Sequence, residues 1–211
     1  MFSSRPIHRI SNAGMLLSVA ILLFFTACTG NNNPDNSQAS RGDKLQAPGD
    51  QGVHFEDSLT WTAVRAKAKA ENKYIFVDCY TSWCGPCKMM AREVFPQPVV
   101  GEYFNKQFIS IGVQLDSTAQ DDTLIRRRYT LGHLLKTKFE IHAFPTFLVF
   151  NADGLPLHRM TGARRDPADL IRDVSEAYDT TKQFYTQLDQ FFKGRRDSAF
   201  MTRLSKIRKK L

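Results

Sequence analysis

Apolar and polar positions fall along the chain in blocks of distinct period. From Asp57 the period is helical: Ser58 or Thr60 stands where a cap is needed, and Leu59, Trp61, Val64 and Ala68 carry the pattern to about Glu71. Asn72-Lys73 ends it. Tyr74-Ile75-Phe76-Val77-Asp78-Cys79-Tyr80 is a nearly continuous apolar, β-branched and aromatic run, which predicts a strand buried on both faces. Residues 81–87 then read as a turn and Lys88 to about Val94 as a helix, closed by Pro96 and Pro98. A short helix over Val99–Asn105 leads to a second buried strand, Phe108–Leu115.

Residues 116–138 read as an insertion that opens polar and turns helical around Leu124, Tyr129, Leu131, Leu134 and Leu135. Two further strands, Thr146–Phe150 and Leu157–Thr161, are joined through Asn151-Ala152-Asp153-Gly154, a hairpin signal. Asp166-Pro167 starts a helix with Leu170, Ile171, Val174 and Tyr178 on one face. The order β-α-β-α-β-β-α predicts an α/β domain with parallel strands joined by a crossover, followed by an antiparallel hairpin. Residues 181–211 predict a helical extension in two parts. Phe184, Tyr185, Leu188, Phe191 and Phe192 stripe the first, Gly194 breaks it, and Phe200, Leu204 and Ile207 stripe the second.

The N-terminal residues read as an address. Arg5, His8 and Arg9 precede an uncharged run from Ala13 to Phe25, the parts of a secretory signal. The run is too short to span a hydrocarbon core of about 30 Å. It ends in Phe25-Thr26-Ala27-Cys28, which resembles the lipobox of bacterial lipoproteins, with Phe where Leu is usual. That resemblance implies acylation of Cys28 and a lipid anchor in the cell envelope; the alternative is an ordinary signal peptide with an incidental cysteine. Thr29 after the cysteine resembles lipoproteins sent to the outer membrane. Residues 29–52 are rich in Asn, Ser, Gly, Asp and Pro with almost nothing to bury, as a tether requires. The expected division is thus a signal peptide over 1–27, a tether over 28–52, a folded domain over 53–180 and a basic extension over 181–211.

Composition narrows the class. The chain has 211 residues, 42% of them hydrophobic and 24% charged, which suits one globular domain with appendages. The formal net charge of +8 comes from the two ends, with eight basic residues against Asp197 alone in residues 190–211, so the body is close to neutral. A basic tail can bind an anionic surface or simply face solvent, and no nucleic-acid motif is present. Four cysteines are too few for a disulfide scaffold.

Trp83-Cys84-Gly85-Pro86-Cys87-Lys88 carries the chemistry. Two cysteines two residues apart at a strand-to-helix turn can close a small disulfide ring. The first sits at a helix N-terminus, where unpaired N–H groups and the helix dipole favour a thiolate, the nucleophile of disulfide exchange. Pro86 removes an N–H that would have no partner there. Half a zinc site is the other use of such a pair, but the histidines at 8, 54, 133, 142 and 158 show no metal spacing, and no metal or cofactor is expected.

The motif after a buried strand containing Asp resembles the active site of the thioredoxin family. Phe144-Pro145-Thr146 directly before a strand resembles the loop that holds the family's cis-proline, and the resemblance covers about residues 55–180. It implies a thioredoxin fold, a central mixed sheet flanked by helices, with the helical insertion placed before the cis-Pro loop. It further implies that Cys84 is an exposed attacking thiolate and Cys87 the buried resolving thiol. Asp78 matches the family's buried carboxylate, which takes the proton from Cys87. Trp83 would wall the site, and Gly85, Pro86, Phe144 and Pro145 would meet an extended substrate segment. Cys79, one residue after Asp78, should point to the opposite face as a core residue. Arg126-Arg127-Arg128 reads as an exposed helix face and His142 as part of a surface loop.

The resemblance implies a protein-disulfide oxidoreductase. Gly85-Pro86 between the cysteines resembles reducing thioredoxins, near about −270 mV, whereas strong oxidants of this fold lie near about −120 mV. In an exported protein, reduction of client disulfides needs electrons from a transmembrane thiol relay. The alternatives are a thiol oxidase or disulfide isomerase, and a non-catalytic binding module.

Overall fold

The computed structural model describes residues 51–208. The expected signal peptide, the lipidation site Cys28 and all but the last two residues of the expected tether lie outside the described residues. Gly52 and the Gln51 backbone, assigned to the tether by composition, already lie against the folded domain. Asn105 Nδ2 donates to the Gly52 carbonyl at 2.9 Å, and a Cβ on Gly101 would stand 2.0 Å from the Gln51 carbonyl oxygen, so only glycine admits this approach.

Helix α1 (Trp61–Ala70) is capped by Thr60, whose Oγ1 accepts from the Ala63 N–H. It ends with Asn72 in the left-handed region at φ 51° and a bond from Lys73 N–H to the Ala68 carbonyl, which satisfies a carbonyl of the last turn. Strand β1 (Tyr74–Tyr80) follows, then α2 (Gly85–Met89), which continues as a π-helical turn over Met90–Val94. The helix therefore starts three residues earlier than the apolar pattern predicts, because Cys84 caps it and Pro86 is pre-set for its first turn. Next come α3 (Pro98–Gln107), β2 (Phe108–Gln114), α4 (Thr123–Arg127), α5 (Tyr129–Lys138), β3 (Thr146–Phe150), β4 (Pro156–Thr161), α6 (Pro167–Ser175), α7 (Phe184–Phe192) and α8 (Ser198–Arg208).

The strands lie in the order β2-β1-β3-β4, with β1 and β2 parallel and β3 antiparallel to both of its neighbours. This is the mixed sheet, flanked by helices, expected from the sequence. Side chains of β1 alternate between two cores. Ile75, Val77 and Cys79 face Val64 and Ala68 of α1, Leu135 of α5, and Phe139 and Ile141. Phe76 faces the other way, onto Met90 and Val94 behind α2, Val100 and Phe104 of α3, and Leu170 and Val174 of α6. Asp78 shares that second face, so strand parity carries its carboxylate to the α2 side. Fully buried Phe76, with Phe104 edge-on at 4.9 Å and Phe147 stacked at 5.4 Å, forms the rigid base beneath the site.

The insertion is helical, as expected, and α5 packs on β2. The C-terminal extension keeps most of its predicted stripe: Tyr185 packs against the core that faces α1, and Phe200 is fully buried. In α7 the buried side chain is Gln187, whose Nε2 donates to the Thr180 carbonyl at 2.5 Å, while Phe192 is 76% exposed. The turn before α7 is held by Gln183 Nε2 donating to the Ala177 carbonyl, and Phe184 N–H donates to His158 Nδ1 in β4.

Candidate active site

Cys84 and Cys87 form a disulfide, with their Cα atoms 5.3 Å apart. Cys84 is the N-cap of α2, and its Sγ accepts from the Cys87 N–H at 3.1 Å. A sulfur held against an unpaired N–H at a helix start is placed where negative charge is stabilised. The expectation of an exposed Cys84 is not met in this oxidised form: Cys84 is 3% exposed and Cys87 5%. The Cys84 sulfur is bonded to Cys87 and accepts the Cys87 N–H, and the neighbouring Trp83 is the exposed residue of the motif's start, at 67%.

The turn before the cysteines is fixed from both sides. Cys84 N–H donates to the Thr81 carbonyl at 3.2 Å. Ser82 donates its N–H at 2.9 Å and its hydroxyl at 2.5 Å to the carboxylate of Asp116, just past the end of β2. From the sequence, Asp116 reads as the first residue of a polar insertion; its pairing with Ser82 depends on β1 and β2 ending side by side, which only the sheet register reveals.

The Phe144–Pro145 peptide is cis, as the resemblance implies. Its loop is tied to β4 through Gly162 N–H donating to the Pro145 carbonyl at 2.8 Å, and to itself through Thr146 Oγ1 on the Ala143 carbonyl. The Phe144 ring meets Trp83 edge-on at 5.6 Å, so the two segments expected to form the site meet across the mouth. Gly85 and Pro86 are exposed beside them, and a Cβ on Gly85 would find no atom within 4 Å, which leaves room for a chain to lie there. His142 lies in the exposed loop ahead of Phe144, as expected.

Asp78 lies in β1 between Gly112 of β2 and Phe147 of β3. It is 7% exposed, and its Oδ1 has no hydrogen-bond partner. Burial, with a smaller push from the charge on Asp57, raises its carboxyl up to about 7. A cleft of about 460 Å³ runs from solvent past Asp57 and Ser82 and is lined by both Asp78 and Cys87. The expected acid and the second cysteine thus share one cavity, and a carboxyl of this kind can hold or accept a proton near neutral pH. Cys79 points to the opposite core, fully buried and free, with its thiol raised well above the usual range by burial.

Arg128 contradicts its expected exposure. It is 8% exposed, and its guanidinium donates to the carbonyls of Gly112, Glu56 and Leu59 and to Asp57 Oδ1. Arg126 and Arg127 are exposed as expected. The difference is positional: Arg128 falls at the junction of α4 and α5, from which its guanidinium reaches the Gly112 carbonyl of β2 and the Glu56–Leu59 segment.

The family model for the thioredoxin-like domain matches residues 62–176. The chain belongs to the thioredoxin-like family. Thioredoxin of Mycobacterium tuberculosis is 31% identical over 108 residues, 51% of this chain and 76% of the relative. A thioredoxin-like protein of Synechocystis sp. is 31% identical over 102 residues, 48% of this chain and 79% of the relative. Among solved structures, a Bacteroides thetaiotaomicron protein provisionally described as a disulphide-isomerase superposes with a TM-score of 0.50 at 31% identity, covering 62% of this chain and 96% of that one. The chain has the fold of the thioredoxin-like oxidoreductases, with a close Cys84–Cys87 pair at the strand-to-helix turn.

Proposed function

We propose that this protein is an exported, lipid-anchored thiol-disulfide oxidoreductase that reduces disulfides of client proteins in the cell envelope. The observation that carries the reading is the Cys84–Cys87 pair at the start of α2, beside the Phe144-Pro145 loop and above a cavity shared with Asp78. In the reduced protein the Cys84 thiolate attacks one sulfur of a client disulfide, forming a mixed disulfide and releasing the other client sulfur as a thiolate. Cys87, losing its proton to the Asp78 carboxylate, then attacks Cys84 Sγ. The Cys84–Cys87 bond forms, the second client thiolate leaves, and two electrons have passed to the client. Trp83, Gly85, Pro86 and Phe144 meet the client segment. Because the protein ends oxidised, turnover needs a dithiol donor, and for an exported protein that donor is a transmembrane thiol relay. The anchor and the location rest on the signal-like residues 1–27 and on Cys28.

Disulfide isomerisation is a second reading, favoured by the Bacteroides thetaiotaomicron neighbour at 31% identity. Equilibration with dithiol standards separates the directions. A reductase is expected near about −270 mV, and a potential above about −180 mV would refute the reducing direction while leaving the exchange chemistry intact. Refolding of a scrambled substrate, catalysed by the protein with Cys84 reduced, would favour the isomerase.

A further inference from the structure

A second groove, beside Gly85 and Pro86 of the cysteine motif and separate from the cleft that Asp78 lines, has a volume of about 490 Å³. Pro86, Met89 and Phe144 line one part of it, and Gly162, Ala163 and Arg165 another. Apart from Arg165 its lining carries no charged side chain, so the groove offers apolar contacts and a single guanidinium.

Two adjacent arginines divide their work here. Arg164 is consumed by the fold: its Nε donates to Asp173 at 2.6 Å, and its Nη1 to the carbonyls of Gly162 at 2.9 Å and Thr161 at 3.2 Å. Arg165 is exposed and, among the described residues, makes no ion pair. The neighbouring carboxylate, Asp166, caps α6 by accepting from the Ala168 N–H at 2.8 Å.

An exposed arginine is usually no more than a solvated charge, but this one stands on a fixed loop. Arg164 N–H donates to Met90 Sδ at 3.3 Å, which ties the loop to the helical segment that carries Cys87. Gly162 N–H holds the Pro145 carbonyl at 2.8 Å, which ties it to the cis-proline loop, and the Arg164–Asp173 pair ties it to α6. The backbone on either side of Arg165 is therefore fixed, and Arg165 lines the same groove as Pro86 and Phe144.

We infer that Arg165 selects clients in which a carboxylate lies beside the reacting half-cystine, so that the groove takes acidic rather than basic disulfide segments. The inference rests on the proposed exchange reaction and names its substrate class. A guanidinium is a fixed cation with a planar fork of donors that matches a carboxylate. On a partly apolar wall the pair is less screened than in open water, which favours one sign of client charge over the other.

The test uses the full chain, reduced, and two disulfide peptides that differ only in Glu or Lys next to a half-cystine. The ratio of the two reduction rates is the readout, so any general loss of activity in a variant cancels. The wild-type protein is expected to reduce the Glu peptide about 5-fold faster at low salt, with the ratio falling towards unity in 0.5 M salt. Arg165→Gln should remove the preference and Arg165→Glu reverse it. Equal ratios in the wild-type protein and both variants would overturn the inference while leaving the exchange reaction standing. Failure of the wild-type protein to reduce either peptide would instead refute the exchange, and the inference with it.

Discussion

Ser82 donates both its backbone N–H and its hydroxyl to the carboxylate of Asp116, 34 residues away, at 2.9 Å and 2.5 Å. The pair clamps the turn before Cys84 to the end of β2, so the position of the first sulfur depends on a residue with no part in the chemistry. Charge-assisted bonds of this kind contribute about 1.5–3 kcal/mol. Asp116→Ala is expected to lower unfolding stability by about 2 kcal/mol, read from the urea midpoint. Hydrogen exchange at the Ser82 amide should accelerate while exchange in the middle of β1 follows only the global change.

Asp78 gives the stability a pH dependence of known sign. Its carboxyl titrates at about 7 in the folded protein, against about 3.9 in an unfolded chain, so the folded state holds a proton that the unfolded state has released. The associated stability is fully present below about pH 4 and is lost as the pH rises through 7. The loss is on the order of 4 kcal/mol, because burial and nearby Asp57 oppose the charge. Asp78→Asn in the oxidised protein should be more stable than wild type at pH 8 by a few kcal/mol and no more stable at pH 4, as measured by denaturant unfolding across that range. In the reduced protein the same variant should slow release of the mixed disulfide, since the proton acceptor for Cys87 is gone.

Arg128 joins segments far apart in the chain, its guanidinium donating to the carbonyls of Glu56, Leu59 and Gly112 and to Asp57 Oδ1. Its removal leaves three carbonyls and a carboxylate without their cation. Arg128→Ala is expected to cost about 2–4 kcal/mol, and Arg128→Lys to recover little of it, because an ammonium cannot reproduce the planar fork. Arg127→Ala, on the exposed face next to it, should stay within about 0.5 kcal/mol. Urea midpoints of the three variants check the contrast.

What was legible in the sequence follows from range. Strand β1 lies at Tyr74–Tyr80, as the apolar run predicts, and Thr60 and Asp166 cap the helices they precede, because these signals are local. The cysteine motif and Phe144-Pro145 were legible as well, and Trp83 against Phe144 shows their two loops in contact. Features that depend on register were not. The Ser82–Asp116 clamp, the burial of Arg128 beside Gly112, and the burial of Gln187 with exposure of Phe192 in α7 each need the position of a second element. The near-complete burial of Cys84 belongs to the same group, since burial depends on the segments packed around the motif and not on the motif itself.

The most direct test of the exchange chemistry is to trap it. With Cys87 replaced by Ala, the mixed disulfide on Cys84 has no resolving thiol and should accumulate. Incubated with a disulfide-bonded client and digested without reducing agent, the Cys87→Ala protein is predicted to give a cross-linked peptide containing Cys84, absent from Cys84→Ser and released by added dithiol. Recovery of no Cys84-linked client, or of a link through Cys79 instead, would contradict the account.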